Sequence, residues 1–161
     1  MENCEGWLRD NFPGWAGLQP VEKLNIREFP VLWALFELRA TDAHAGVQTI
    51  IQAVEHLGDY HEGDETKAAV AHFSQRYHVD HLAAHRLSML KLTEAAEERV
   101  TPVISGDQAN KKARLTAVLL IIHRLRNNFL HGEKARYGYH DQLDNFQVSN
   151  RVLMEVIPLW G

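Results

Sequence analysis

The segment Arg126-Asn127-Asn128-Phe129-Leu130-His131-Gly132 carries the residue types best suited to chemistry. A guanidinium keeps its positive charge at all ordinary pH values and donates hydrogen bonds to anions in directed pairs. An imidazole titrates near neutral pH and can therefore move protons. An arginine, amides and a histidine at one place in the chain could hold an anionic group and transfer a proton beside it.

A long helix must position this segment, and its apolar residues recur at steps of three and four. They are Leu115, Val118, Ile122, Leu125 and Phe129, and Gly132 is placed to end the helix. At about 100° per residue, Arg126 lies only about 40° from the centre of the apolar stripe. A guanidinium in that direction indicates either a buried ion pair or an interface, and Glu37 is the candidate partner.

The direction of the His131 side chain relative to Arg126 depends on how the helix ends. Asn127 and His131 are four residues apart and share a face, whereas Arg126 and His131 diverge by about 140° on a regular helix. If Gly132 ends the helix, the ring of His131 can turn back toward Arg126, and the three side chains would converge at the rim of the bundle. The alternative is that Arg126 pairs with Glu37 only for structure and His131 caps the last carbonyls.

The segment resembles the motif of HEPN domains, in which an arginine, often followed by a polar residue, precedes a histidine by four to six positions. Arg126, Asn127 and His131 match that pattern, and the helix ending Ile121-Ile122-His123-Arg124-Leu125 precedes it. The run Leu32-Trp33-Ala34-Leu35-Phe36-Glu37 is similar to the first core helix of some members. The resemblance implies an all-helical bundle that forms a homodimer with a composite active site.

The resemblance also implies activity as a metal-independent endoribonuclease that needs no cofactor. His131 would move protons at the ribose 2′-hydroxyl or the leaving 5′-oxygen, and Arg126 would stabilise the phosphate oxygens. Asn127 would orient the phosphate or the His131 ring, with Glu37 and Asn128 in support. The expected products are 2′,3′-cyclic phosphate and 5′-hydroxyl ends.

RNA is therefore the expected substrate, and the residues expected to bind it lie around the motif. They are Arg124, Lys134, Arg136 and Tyr137, with Tyr139 as a further stacking residue. Many proteins of this family act as toxins or in antiviral defence, so an antitoxin protein is a possible partner. Lys134 stands where silenced toxins usually carry the tyrosine that is modified. The alternative function is a catalytically silent module that binds nucleotide or a protein.

A group of histidines offers a different interpretation. His78, His81 and His85 stand at positions i, i+3 and i+7, which would place three imidazoles on one face of a continuous helix. No HExxH motif is present, and the single cysteine, Cys4, excludes a thiolate zinc site. We expect a solvent-exposed face here and no metal, and zinc binding stays open as an alternative.

Composition limits the class of protein. The 161 residues carry 17 Lys and Arg against 21 Asp and Glu, a net charge of −4, so any nucleic-acid contact must be local. The length fits one domain, residues 1–161, with a core at about 30–157 and an N-terminal extension, 1–29, of short helical pieces. One cysteine, no signal-peptide pattern and no membrane span predict a cytoplasmic protein.

The hydrophobic pattern predicts an all-α fold, an irregular bundle of about five to six helices. Pro30 is expected to begin the first long helix, and its residues 31–38 are apolar at nearly every position, which predicts protein cover on most sides. Pro102 and Ser105-Gly106-Asp107 should break the helical pattern after the fourth helix. The other predicted helices cover 47–57, 65–77, 81–98, 115–131 and 141–157.

Overall fold

Helices form nearly all the regular structure of residues 3–132 and 139–161, the part of the chain that this computed structural model describes. That part contains no strand and eight α-helices. They are α1 (Cys4–Asn11), α2 (Pro20–Thr41), α3 (Val47–Glu55), α4 (Asp64–Ser74), α5 (Ala83–Leu90), α6 (Glu94–Ile104), α7 (Lys111–Leu130) and α8 (Leu143–Val156). The all-α class is confirmed, and the expected five to six helices are too few.

Helix α2 begins ten residues earlier than the sequence indicates. Pro20 occupies its first turn, where a missing N–H costs nothing, and the Gln19 N–H donates to Glu22 Oε2 at 2.7 Å. Pro30 lies inside the helix, so the prediction that it begins the helix was wrong. The residues that α2 buries recur every three or four positions on both sides of Pro30: Ile26, Phe29, Trp33 and Phe36. Packing of this stripe outweighs the hydrogen bond that Pro30 cannot make.

The predicted helix over 81–98 is two helices. Lys91 adopts a left-handed backbone conformation, φ 53°, between α5 and α6, and Leu90 is buried beside it. The break expected at Pro102 and Ser105-Gly106-Asp107 is present, because α6 ends at Ile104, although Pro102 itself still lies within its last turn. A further break precedes α5, where a π-helical turn, Gln75–Val79, follows α4.

Helix α7 is the central helix of the bundle. Every residue from Leu115 to Ile122 is buried, because α3, α4 and α6 all pack against it. The cover predicted around residues 31–38 is found on one side only, since Val31, Leu35 and Leu38 are exposed. Trp15 and Leu18 belong to the hydrophobic core, which therefore begins before residue 30.

Two contacts fix how α2 lies against α7. The Phe29 and Phe129 rings are 6.0 Å apart, and the Trp33 and His123 rings are 5.6 Å apart. The numbering rises along α2 as it falls along α7, so the two helices are antiparallel. The segment around Arg126 therefore lies level with the middle of α2.

Glu155 of α8 joins the end of the chain to the start of α4. Its carboxylate accepts hydrogen bonds from the Glu65 N–H at 2.8 Å, the Thr66 N–H at 2.9 Å and the Thr66 hydroxyl at 2.7 Å. The first N–H groups of a helix have no partner within the helix, and an anion there also meets the positive end of the helix dipole. None of the helices in residues 3–132 and 139–161 combines the length and hydropathy that a membrane span requires.

Candidate functional site

The last turn of α7 closes as the sequence indicates. His131 is the C-cap, its N–H donates to the Asn127 carbonyl at 3.1 Å, and the Gly132 N–H donates to the Phe129 carbonyl at 3.2 Å. Gly132 has a φ of 71°, a left-handed conformation that glycine adopts without strain. The helix therefore ends within the motif, at Leu130, directly before His131.

Arg126 faces α2, and its charge is only partly compensated there. Its Nη2 lies 3.9 Å from Glu37 Oε2, and both side chains are less than a third exposed. Glu37 Oε1 accepts from the Ala45 N–H at 3.1 Å, which fixes the carboxylate beside the α2–α3 connection. A pair at 3.9 Å lies at the limit of an ion pair and beyond hydrogen-bond length. The guanidinium therefore keeps donors for another anion.

Asn127 links Arg126 to a histidine one turn earlier on α7. Asn127 Oδ1 accepts from Arg126 Nη1 at 2.9 Å, and its Nδ2 lies 3.4 Å from His123 Nε2. The His123 ring stacks on Trp33 with 25° between their planes. Glu37, Arg126, Asn127 and His123 thus form one row of polar side chains, called here the arginine row.

His123 is the uncharged member of the arginine row. Its pKa is lowered to about 4, mainly by burial and also by the charges of Arg124 and Arg126, against a smaller opposite effect of Glu37. Its Nδ1 is buried and has no hydrogen-bond partner in the part of the chain described. His123 is therefore neutral at pH 7, and its Nε2 is free to accept the hydrogen bond from Asn127.

His131 does not contact Arg126. Its side chain is exposed, and among residues 3–132 and 139–161 it forms no hydrogen bond or ion pair. Its backbone stays close to helical, with φ −82° and ψ 4°, so its side chain keeps nearly the divergence of about 140° that a regular helix imposes. Within one chain the expected convergence of Arg126, Asn127 and His131 is therefore limited to Arg126 and Asn127.

Two residues predicted to serve the site face away from the arginine row. Asn128 is buried and donates from Nδ2 to the Met89 carbonyl at 3.3 Å. Arg124 Nε donates to the Leu90 carbonyl at 3.0 Å. Both side chains therefore hydrogen-bond α7 to the end of α5.

The segment after the motif is only partly described. Lys134, Arg136 and Tyr137, expected to contact RNA, lie outside the described residues. Tyr139 is half-buried, and burial raises the pKa of its hydroxyl. Its ring lies 5.6 Å from that of Phe129, which ties it to the aromatic core.

The three clustered histidines do not lie on one helix. His78 lies in the π-helical turn, His81 follows the break at Asp80, and His85 belongs to α5. All three are exposed. In residues 3–132 and 139–161, no group of three or more His, Cys, Asp or Glu side chains could hold a metal ion.

Sequence reasoning identified most of the arginine row. The position of His123 one turn before Asn127 predicts a half-buried histidine on the same face of α7, and the structure has it there, partly buried beside Asn127. The charge of Arg126 made a carboxylate partner predictable, whereas the stacking of His123 on Trp33 depends on the packing of α2. Comparison with models of protein families, with curated proteins and with solved structures finds no match.

Proposed function

We propose that the protein is a metal-independent endoribonuclease of HEPN type, with Arg126 and His131 as its catalytic pair. The observation that carries the proposal is the half-buried guanidinium of Arg126, only loosely paired with Glu37, five residues before an exposed histidine. A guanidinium with unused donors suits a phosphate, and an accessible imidazole suits proton transfer. The context of a toxin–antitoxin or antiviral system follows from the family resemblance.

In this reaction His131 takes the proton of the ribose 2′-hydroxyl, and the 2′-oxygen attacks the adjacent phosphorus. The bond from phosphorus to the 5′-oxygen breaks, and a second imidazole returns a proton to that oxygen. The ends are a 2′,3′-cyclic phosphate and a 5′-hydroxyl. Arg126 neutralises the charge that builds on the phosphate oxygens, and Asn127 holds the guanidinium in place.

A second copy of the chain would supply the second imidazole, and the exposed face of α2 is where we place it. The large apolar residues exposed on this helix are Val21, Leu24, Val31, Leu35 and Leu38. With Glu28 they repeat at steps of three and four, the heptad pattern of helices that pair with one another, and we call this row the α2 seam. A single polar residue within such a seam sets the register of the pair.

The position of the motif relative to the α2 axis agrees with a dimer formed through the α2 seam. Contacts of α7 at Phe29 and Trp33 place Arg126 level with the middle of the α2 seam. A two-fold axis through that middle brings the two copies of the motif to the same height. Leu130, one turn after Arg126, is 56% exposed and extends the apolar surface to the motif.

The activity is tested by incubating the purified protein with a mixed-sequence RNA in EDTA and identifying the new ends. Wild type should produce cyclic-phosphate ends, and His131→Ala should reduce cleavage by about 100-fold or more. His56→Ala, an exposed histidine at the end of α3, is the matched control and should cleave as wild type does. No cleavage by folded wild-type dimer would refute the proposal.

The dimer is tested separately with Leu35→Asp and Leu38→Asp together. Two charges in the α2 seam should convert the dimer to a monomer in analytical ultracentrifugation, and cleavage should fall with it. Leu159→Asp is the matched control, because Leu159 is 41% exposed and Leu35 is 43% exposed. A dimer that persists in the double variant would place the interface elsewhere.

A catalytically silent dimer that binds nucleotide or a protein is the second candidate. The separation of His131 from Arg126 within one chain favours it, because the pair is not assembled without a partner. Such a module would form the same dimer through the α2 seam and leave RNA intact with or without His131.

A further inference from the structure

A cavity of about 520 Å³ lies between the end of α5, α7 and the residues that precede α8. This volume lies within the range typical of small-molecule sites. Its apolar wall comes from Met89, Leu90 and Leu125, and two aromatic residues, Tyr77 and Tyr139, also line it. Flat apolar walls of this kind suit a planar ring.

The guanidinium groups that line the cavity are partly matched by carboxylates, although the buried Nε atoms of Arg76 and Arg86 have no hydrogen-bond partner in the described chain. Arg76 Nη2 lies 2.9 Å from Asp141 Oδ2, and Arg86 Nη2 lies 3.2 Å from Asp141 Oδ1. Arg86 Nη1 also lies 3.2 Å from Asp80 Oδ1. Asp80 lies outside the lining, which itself carries two guanidinium groups, the Asp141 carboxylate and His85. Because an outer nitrogen of each guanidinium already meets a carboxylate, the cavity favours an uncharged polar ring over a phosphate.

Gln142 supplies a hydrogen-bond donor that nothing in the described chain uses. The residue is only 8% exposed and lines the cavity. Its Oε1 accepts from Asn145 Nδ2 at 3.0 Å, whereas its Nε2 has no partner among residues 3–132 and 139–161. This amide nitrogen can therefore donate to a ligand in the cavity. Beside it, Asp141 presents carboxylate oxygens that accept.

The cavity lies against the side of α7 from which a ligand would reach His131. Leu125 lines it, and Asn128 Nδ2 donates to the carbonyl of Met89, another lining residue. His131 follows Asn128 by three residues, close to one helical turn, and lies about 9 Å beyond Leu125 along the axis. A base attached to a phosphate bound beside His131 can therefore reach the cavity.

We propose that this cavity binds an unpaired guanine base of the RNA next to the bond that is cleaved. Proteins recognise single-stranded RNA by placing splayed bases against aromatic side chains and reading their edges. Guanine presents acceptors, O6 and N7, beside the N1–H and amino donors, which matches the Gln142 amide donor and the Asp141 acceptors. This inference rests on the proposed function, because the base is taken to belong to the RNA substrate of the proposed nuclease.

Binding is measured by calorimetric titration of the dimer with GMP, AMP and ribose 5-phosphate. GMP should bind at least tenfold more tightly than AMP, and ribose 5-phosphate, which lacks a base, should not bind measurably. Gln142→Glu keeps an oxygen for Asn145 and removes the amide donor, so it should weaken GMP binding at least tenfold. His56→Ala, at an exposed position outside the cavity lining, should bind GMP as wild type does. Equal affinities for GMP and AMP, or an unchanged affinity in Gln142→Glu, would overturn the proposal.

Mapping of RNA ends separates this inference from the proposed function. Wild type should cleave next to guanine, and Gln142→Glu should lose that preference. Cleavage without base preference, together with no GMP binding, would overturn the guanine site and leave the nuclease standing. Tight GMP binding without any RNA cleavage would overturn both the nuclease and the assignment of the base to an RNA substrate.

Discussion

Glu37 and Glu155 are both carboxylates that extend from one helix toward a neighbouring element, yet their surroundings differ. Glu155 receives three hydrogen bonds of 2.7 to 2.9 Å from the first turn of α4. Glu37 receives one, from Ala45 at 3.1 Å, and meets Arg126 only at 3.9 Å. A carboxylate that only supports the fold has its oxygen atoms fully hydrogen-bonded, as Glu155 does. Glu37 and Arg126 instead keep hydrogen-bonding capacity for a further group.

The largest expected effect is on the Arg126 side of this comparison. Arg126→Ala should reduce RNA cleavage by about 1,000-fold, because a directed cation at a developing phosphate charge contributes about 3–4 kcal/mol to the barrier. The free energy of unfolding should change by less than about 1 kcal/mol, since the pair with Glu37 is long and partly exposed. Cleavage rates and urea unfolding curves measure the two quantities. A large loss of stability with unchanged cleavage would make Arg126 a structural residue.

Glu155→Ala should have the largest effect on stability. Removing the carboxylate leaves three donors of α4 without their partner, which should lower the free energy of unfolding by about 2–3 kcal/mol. Glu98→Ala, an exposed position in the middle of α6, serves as the matched control and should change it by less than about 0.5 kcal/mol. Equal effects of the two substitutions in urea unfolding would show that the Glu155 contacts contribute little.

The pH dependence of the free energy of unfolding gives a further test of this comparison, because His123 belongs to the arginine row with Glu37 and Arg126. Its pKa is about 4 in the folded protein and 6.5 ordinarily, so between those values the unfolded chain binds more protons. His123 therefore stabilises the fold fully above pH 6.5, and this contribution is lost as the pH falls toward 4. Allowing for solvent screening, His123→Gln should flatten the decline by about 1 kcal/mol. Urea unfolding at pH 7 and pH 4.5, with His56→Gln as control, measures it. Parallel declines in wild type and His123→Gln would contradict the assignment.

The smallest expected effect is that of Glu37→Gln on stability. The amide retains an oxygen for the Ala45 N–H, and the long pair with Arg126 contributes little, so the free energy of unfolding should change by less than about 0.5 kcal/mol. RNA cleavage should nevertheless change several-fold, because in the proposed reaction Glu37 balances the charge of the Arg126 guanidinium. A loss of stability as large as that of Glu155→Ala would remove the distinction between the two carboxylates.

The sequence predicted the elements whose signals are local. The apolar spacing of α7 and the glycine at position 132 indicated the helix and its end, because both depend on residues within one or two turns. Pro30 misled the prediction, because the burial of Phe29 and Trp33 on either side depends on distant parts of the chain. Residues 31–38 show a different limit, since the apolar pattern predicted cover on most sides, whereas Val31, Leu35 and Leu38 are exposed.

The candidate site was predictable in part for the same reason. The position of Arg126 on the α7 stripe indicated a carboxylate neighbour, and Glu37 lies at 3.9 Å. The direction of His131 could not be read from the sequence, because it depends on the backbone angles of a single terminal residue. The cavity behind α7 was also out of reach, since its walls come from segments more than 50 positions apart.

The contact between Glu155 and Thr66 spans 89 positions of the chain, which has a consequence for the order in which the protein folds. During synthesis the N-terminal part emerges first, and α4 leaves the ribosome well before α8. Its first amide groups therefore remain bonded to water until the final helix docks. Premature termination before Glu155 would thus fray a helix near the middle of the chain, far in sequence from the missing residues.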